Sequence, residues 1–98
     1  MNYESIISQS RLEEIRNLIK ESDEIINHKN FSISELKIII DETPLSAEDR
    51  EIAQLKYITG LKNIEIFFKM KWNSRATVET HIKRIGKAML ETCYKIFK

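Results

Sequence analysis

Ninety-eight residues are enough for one small domain, or one domain with a helical extension. Hydrophobic residues make up 42% and charged residues 32%, which argues against disorder; Gly 2 and Pro 1 disfavour sandwiches, barrels and Gly-rich nucleotide loops; the single Cys93 excludes an internal disulfide framework and a cysteine zinc cluster. The net charge of +1 hides an asymmetry. Residues 1–49 carry five basic and eleven acidic side chains (net −6), and residues 50–98 carry eleven basic and four acidic ones (net +7). A basic half of this kind suits a polyanionic partner, or the acidic half of its own chain.

The first segment, about Tyr3–Asn27, carries Ile6, Ile7, Leu12, Ile15, Leu18, Ile19, Ile25 and Ile26 at helical spacing without Gly or Pro. The start is polar and includes Glu4, so it does not read as a signal peptide, and no apolar run reaches the roughly 18 residues of a membrane span. The expectation is a soluble, cytoplasmic protein. Leu12, Ile15, Ile19, Ser22 and Ile26 also fit a 3-4 spacing, which predicts either a stripe packed on the chain itself or a homodimer seam. His28-Lys29-Asn30 closes the segment, with basic residues near the negative end of the helix dipole.

Ser32 and Glu35 have capping-box spacing, with Phe31 and Leu36 placed as a hydrophobic staple, so a helix is predicted over 33–42 and stopped by Thr43-Pro44. Ser46 and Asp49 repeat the capping pattern ahead of Ile52, Leu55 and Ile58, giving a helix over 47–58 that Gly60 breaks. A short helix follows at 62–71, with Ile66 and Met70 inward. Trp72-Asn73-Ser74 reads as a turn, and Ser74 as the cap of a long last helix over 75–96. Its stripe is Val78, Ile82, Ile85, Met89, Cys93 and Ile96, and Gly86 lies in its middle. The fold class is therefore all-α, with about five helices.

Three stretches carry a motif. They are LSAEDREIAQL at 45–55, GLKNIEI at 60–66 and SRATVETHIKRIGKAM at 74–89. In order and spacing they resemble the LuxR-type helix-turn-helix and the related region 4 of sigma-70 factors, over about residues 45–90. The resemblance implies a helix-turn-helix domain over 44–98, preceded by an acidic helical extension over 1–43 for dimerisation or partner contact. It implies a recognition helix at about 75–90 that enters the major groove of double-stranded DNA. By position, Glu79, Thr80 and Lys83 would read base edges. Arg75, Thr77 and His81 would face the backbone, and the cations Arg84 and Lys87 would meet phosphate. Lys56, Lys62, Lys69 and Lys71 would add phosphate contacts from the scaffold side. The chain departs from the family at Phe67, where a small residue is usual, at Lys71, where the turn carries Gly, at Lys62, in place of a Ser/Thr cap, and at Glu79, a commonly basic position. KWNSRATV is also one residue longer than the family's turn.

The implied function is a small DNA-binding transcriptional regulator. The alternative is a module derived from the same fold that binds RNA polymerase, a sigma factor or another regulator. His28 and His81 lack paired ligand spacing, Cys93 lies on an apolar stripe, and the carboxylate pairs read as solvated helix faces. No catalytic site, metal site or cofactor is expected.

Overall fold

The computed structural model describes residues 7–21, 26–27, 29–71 and 75–97, without the side chains of residues 20, 21, 75 and 76. The described residues are all helical in class, with five helices and no strand. They are α1 (Gln9–Glu21), α2 (Ile33–Glu42), α3 (Ala47–Ala53, continued by a widened turn over Gln54–Ile58), α4 (Asn63–Met70) and α5 (Arg75–Ile96). No helix among them is long and apolar enough to cross a membrane.

Helix α5 is the spine. Its 22 residues extend about 33 Å at 1.5 Å per residue. Val78, Ile85, Met89 and Cys93 form the buried stripe expected from the sequence, and Phe97 continues it beyond the helix. Ile82 and Ile96 are half-buried at its margins. Burial pushes the Cys93 thiol up to about 12, so it behaves as a small apolar side chain.

The N-terminal helices pack on the C-terminal half of α5. Arg16 Nε donates to the Phe97 carbonyl (2.7 Å), and the Tyr94 hydroxyl donates to the Ile19 carbonyl (3.2 Å). Rising numbers on α1 meet falling numbers on α5, so the two run antiparallel. Leu12, Ile15 and Ile19 are buried inside the chain's own core. The 3-4 spacing is thus used within the monomer, and these three side chains have no open face for a second copy.

Helix α1 is shorter than its periodicity predicts. Ile7 and Ser8 precede it, and the Ser8 hydroxyl accepts from the Arg11 N–H (3.2 Å), a capping bond at the start of α1. At the other end, Ile26 and Asn27 are not helical. The Asn27 side-chain oxygen accepts from the N–H groups of Lys29 (2.9 Å) and Asn30 (3.0 Å), a local turn that competes with helix. Residues 3–6, 22–25 and 28 of the expected segment lie outside the described residues.

Helix α2 starts and stops where its signals place it. Ser32 Oγ accepts from the Glu35 N–H (3.2 Å), and Glu35 accepts from the Ser32 N–H (2.9 Å). Phe31 and Leu36 are both buried, as a staple requires. Glu35 also receives Arg11 of α1 through Nε (2.7 Å) and Nη2 (2.9 Å), while Nη2 reaches the Asn30 carbonyl. The fork–fork geometry fixes α1 against the start of α2. The end of α2 is held twice. Arg50 of α3 donates to the carbonyls of Ile40 (3.1 Å) and Thr43 (3.3 Å), the usual use of a cation at a helix C-terminus. The buried hydroxyls of Thr43 and Thr92 lie 2.8 Å apart, joining α2 to α5.

The Ser46 pattern forms only half of a box. Ser46 Oγ accepts from the Asp49 N–H (3.1 Å), but the Asp49 carboxylate turns to α5 instead of back to its own cap. After Ala53 the helix widens: the Thr59 N–H bonds to the Gln54 carbonyl, five residues back, and the Leu61 N–H to that of Leu55, six back. Gly60 ends the turn at φ 81°, where an L side chain is strained. Helix α4 begins with Glu65 accepting from the Lys62 N–H (2.9 Å); the ammonium of Lys62 has no acceptor to complete the box. It ends at Lys71, the one described non-glycine residue with positive φ (55°). Lys71 thus adopts the left-handed conformation for which glycine is the usual residue. The predicted turn at residues 72–74, with Ser74 as cap, lies outside the described residues.

A left-handed L residue costs roughly 1–2 kcal/mol, offset in part by the extra unfolded-chain entropy of glycine. Lys71→Gly is therefore expected to stabilise the protein by about 1 kcal/mol or less, read as a higher urea midpoint at unchanged slope. A lower midpoint would show that Lys71 makes a compensating interaction.

Candidate nucleic-acid interface

The N-terminal half of α5 lies over α3 and α4. Val78 and Ile85 face inward onto a core that includes Ile52 and Ile66, both fully buried. Residues on the opposite side of the same helix are necessarily turned outward. Thr77, Glu79, Thr80, Lys83 and Lys87 are all exposed, as the sequence expects. Lys83 and Lys87 are one turn apart, and neither forms an ion pair among the described residues. The side chain of Arg75 lies outside the described residues.

His81 and Arg84 are placed differently from a simple phosphate-facing pair. Both turn towards Asp49 of α3. Arg84 Nη2 donates to both carboxylate oxygens (3.0 and 2.9 Å), and His81 Nδ1 lies 2.9 Å from Oδ1. Nδ1 also lies 2.8 Å from Arg84 Nη2. One nitrogen cannot donate to the carboxylate and accept from the guanidinium at once. The carboxylate is the stronger acceptor, so the Nδ1 proton is assigned to it. Asp49 is only 8% exposed, and Arg84 keeps 57% of its side chain in solvent. His81, largely covered, acts first as a structural link between α3 and α5. Arg84 combines that link with an outward-facing surface.

Burial by itself raises the Asp49 carboxyl. The hydrogen bond from His81 and then the Arg84 guanidinium outweigh it and hold the group below its ordinary 3.8. Glu35 follows the same pattern: burial raises it, but Arg11 and the Ser32 N–H bring it below its ordinary 4.5.

Glu48, Asp49 and His81 bring ligand-type atoms within 4.8 Å of one another, a grouping absent from the sequence reading because Asp49 and His81 are 32 residues apart. Arg84 already pairs with Asp49 at this point, so Asp49 and His81 serve as an ion-paired crosslink, while Glu48 stands exposed without an ion pair among the described residues.

On the scaffold side, Lys62, Lys69 and Lys71 are exposed, whereas Lys56 donates to Asn63 Oδ1 (2.8 Å) and bridges the widened turn to α4. Phe67 is half-buried against the core, and its ring meets Phe68 edge-on at 5.2 Å. Phe68 is 68% exposed. The bulky residue at 67 is thus accommodated at the core margin, while its neighbour is left in solvent.

No family model, curated protein or solved structure matches this chain.

Both lowered carboxyls contribute stability that is complete above their ordinary values near 4 and is lost as pH falls through their lowered values. Melting temperature followed by circular dichroism is expected to hold between pH 5 and 7 and to fall below about pH 4. Asp49→Asn with Glu35→Gln should lower it at pH 7 and flatten the acid dependence. An unchanged acid limb in that variant would assign it to other carboxylates.

Proposed function

We propose that this chain is a small DNA-binding transcriptional regulator of helix-turn-helix type, with α3 and α4 as scaffold and α5 as the recognition helix. The carrying observation is one helix with two faces: Val78, Ile85 and Met89 are buried, while Thr77, Glu79, Thr80, Lys83 and Lys87 stand in solvent opposite them. The net +7 of residues 50–98 supplies the long-range attraction for a polyanion. Glu79, Thr80 and Lys83 suit base edges, where a carboxylate accepts from cytosine N4 and a lysine donates to guanine O6 or N7. Lys87, Arg84, Arg75 and the scaffold lysines Lys62, Lys69 and Lys71 suit phosphate. Thr77 and His81 flank the same surface.

A second reading has its own observation. Phe68, exposed on α4, gives a protein partner such as RNA polymerase or another regulator an aromatic anchor that duplex DNA does not require. A dimer on DNA would space its half-sites about 10–10.5 bp apart. With Leu12, Ile15 and Ile19 buried in the monomer, such a dimer would need another surface, and sedimentation at high concentration tests for it.

The test selects bound fragments from sheared genomic DNA of the source organism, with Lys83→Glu/Arg75→Glu as control. A few discrete sites, lost in the variant at unchanged helicity, are expected. Affinity should fall with salt at a log–log slope of about −0.9 per phosphate contact. No enrichment over the variant would overturn DNA binding and favour the protein partner.

A further inference from the structure

Beside the proposed DNA-facing surface, α5 borders a groove of about 570 Å³, within the roughly 300–1,000 Å³ typical of small-molecule sites. Its floor is apolar: Ile26, Tyr57, Ile82, Gly86 and Leu90. Lys83 and Lys87 stand at its rim, and Glu91 follows one turn beyond Lys87. Gly86 lets Tyr57 pack against α5 beside this groove: a Cβ there would lie 3.4 Å from the Tyr57 hydroxyl, and a longer side chain would run into it.

Tyr57 supplies the polar atom of this apolar lining. The residue is 7% exposed and its hydroxyl has no hydrogen-bond partner among the described residues; none of their buried side-chain polar atoms lacks a partner, so this hydroxyl reaches solvent. Burial also keeps this phenol protonated by raising it above its ordinary 10.0, so it is available as a donor. An apolar floor, an unpartnered phenol and two ammonium groups on one side together specify a ligand. It needs an apolar body, one acceptor near the floor and one negative charge near the rim. Glu91 repels that charge from the far end and so fixes its orientation.

We propose that this groove binds a small monocarboxylate with an apolar body, its carboxylate between Lys83 and Lys87 and its chain or ring over Gly86 against Tyr57. The site stands apart from the DNA reading, because it is defined by the groove alone. If α5 does enter DNA, the carboxylate occupies two of the cations offered to phosphate, and the ligand weakens duplex binding.

The probe is 4-phenylbutyrate, with 4-phenylbutan-1-ol as its neutral counterpart. Each is titrated into the ¹⁵N-labelled full chain by NMR. The expected result is saturable shifts centred on the Tyr57, Ile82, Gly86 and Leu90 amides, with the carboxylate bound about tenfold more tightly than the alcohol, the advantage of a charge-assisted contact. Lys83→Gln/Lys87→Gln should abolish that advantage. Tyr57→Phe should weaken both probes several-fold. Gly86→Leu should block both, and Gly86→Ala, more stable in helix, serves as its folded control. Shifts that do not saturate, or that spread over the whole chain, would overturn the site. So would equal affinity for acid and alcohol. Concentration-dependent shifts of the same amides without any probe would give the groove to a second copy of the chain and overturn the small-molecule assignment. None of these readings involves DNA, so failure of the groove and failure of the DNA reading are separately visible.

Discussion

One constraint organises the molecule: the apolar stripe of α5 must be covered along its whole length. A lone helix with Val78, Ile85, Met89 and Cys93 on one side would leave that side in water, and helical stability in proteins comes mainly from packing such a face. No other helix among the described residues is long enough to cover it alone. The coverage is therefore divided, with α3 and α4 on the N-terminal half and α1 and α2 on the C-terminal half. Acidic and basic halves of the sequence become neighbours because both pack on this one element.

Polar links fix the arrangement that burial favours. Hydrophobic contact is non-directional, so it does not by itself set which turn of α3 meets which turn of α5. Asp49 does, through His81 and Arg84. The Arg11–Glu35 fork does the same for α1 and α2, and Thr43–Thr92 for α2 and α5. Each joins residues far apart in sequence and places charged or hydroxyl groups where leaving them unpaired would be costly. Two of the side chains counted towards a nucleic-acid surface, His81 and Arg84, are thereby drawn into holding the fold. The outward surface is left chiefly to Thr77, Glu79, Thr80, Lys83 and Lys87.

Two residues meet demands that their identities do not advertise. Lys71 adopts the left-handed conformation at the end of α4, where glycine is the usual residue. Gly86, in mid-helix where alanine would be more stable, lets the Tyr57 hydroxyl lie where a Cβ would come within 3.4 Å of it. In the first case a side chain is carried at conformational cost; in the second a side chain is omitted at a similar one.

The sequence by itself determined the helical class, the bounds of α2 and α5 and the inward stripe of α5. Those features follow from local rules: side-chain periodicity, the Ser32–Glu35 box, and the exclusion of α geometry before Pro44. It also marked the exposed residues of α5, because the opposite face of a buried stripe is fixed by helix geometry. The start of α1 was less legible, since Ser8 caps it by a side-chain bond that periodicity does not register. Only the tertiary structure decided that Asp49 joins His81 and Arg84, that Leu12, Ile15 and Ile19 are spent inside the monomer, and that the Tyr57 hydroxyl packs against Gly86 beside a groove. These pairings span 29 to 35 residues or more, and no local propensity encodes them. They arise when several helices compete for one stripe and their polar groups settle where desolvation is compensated.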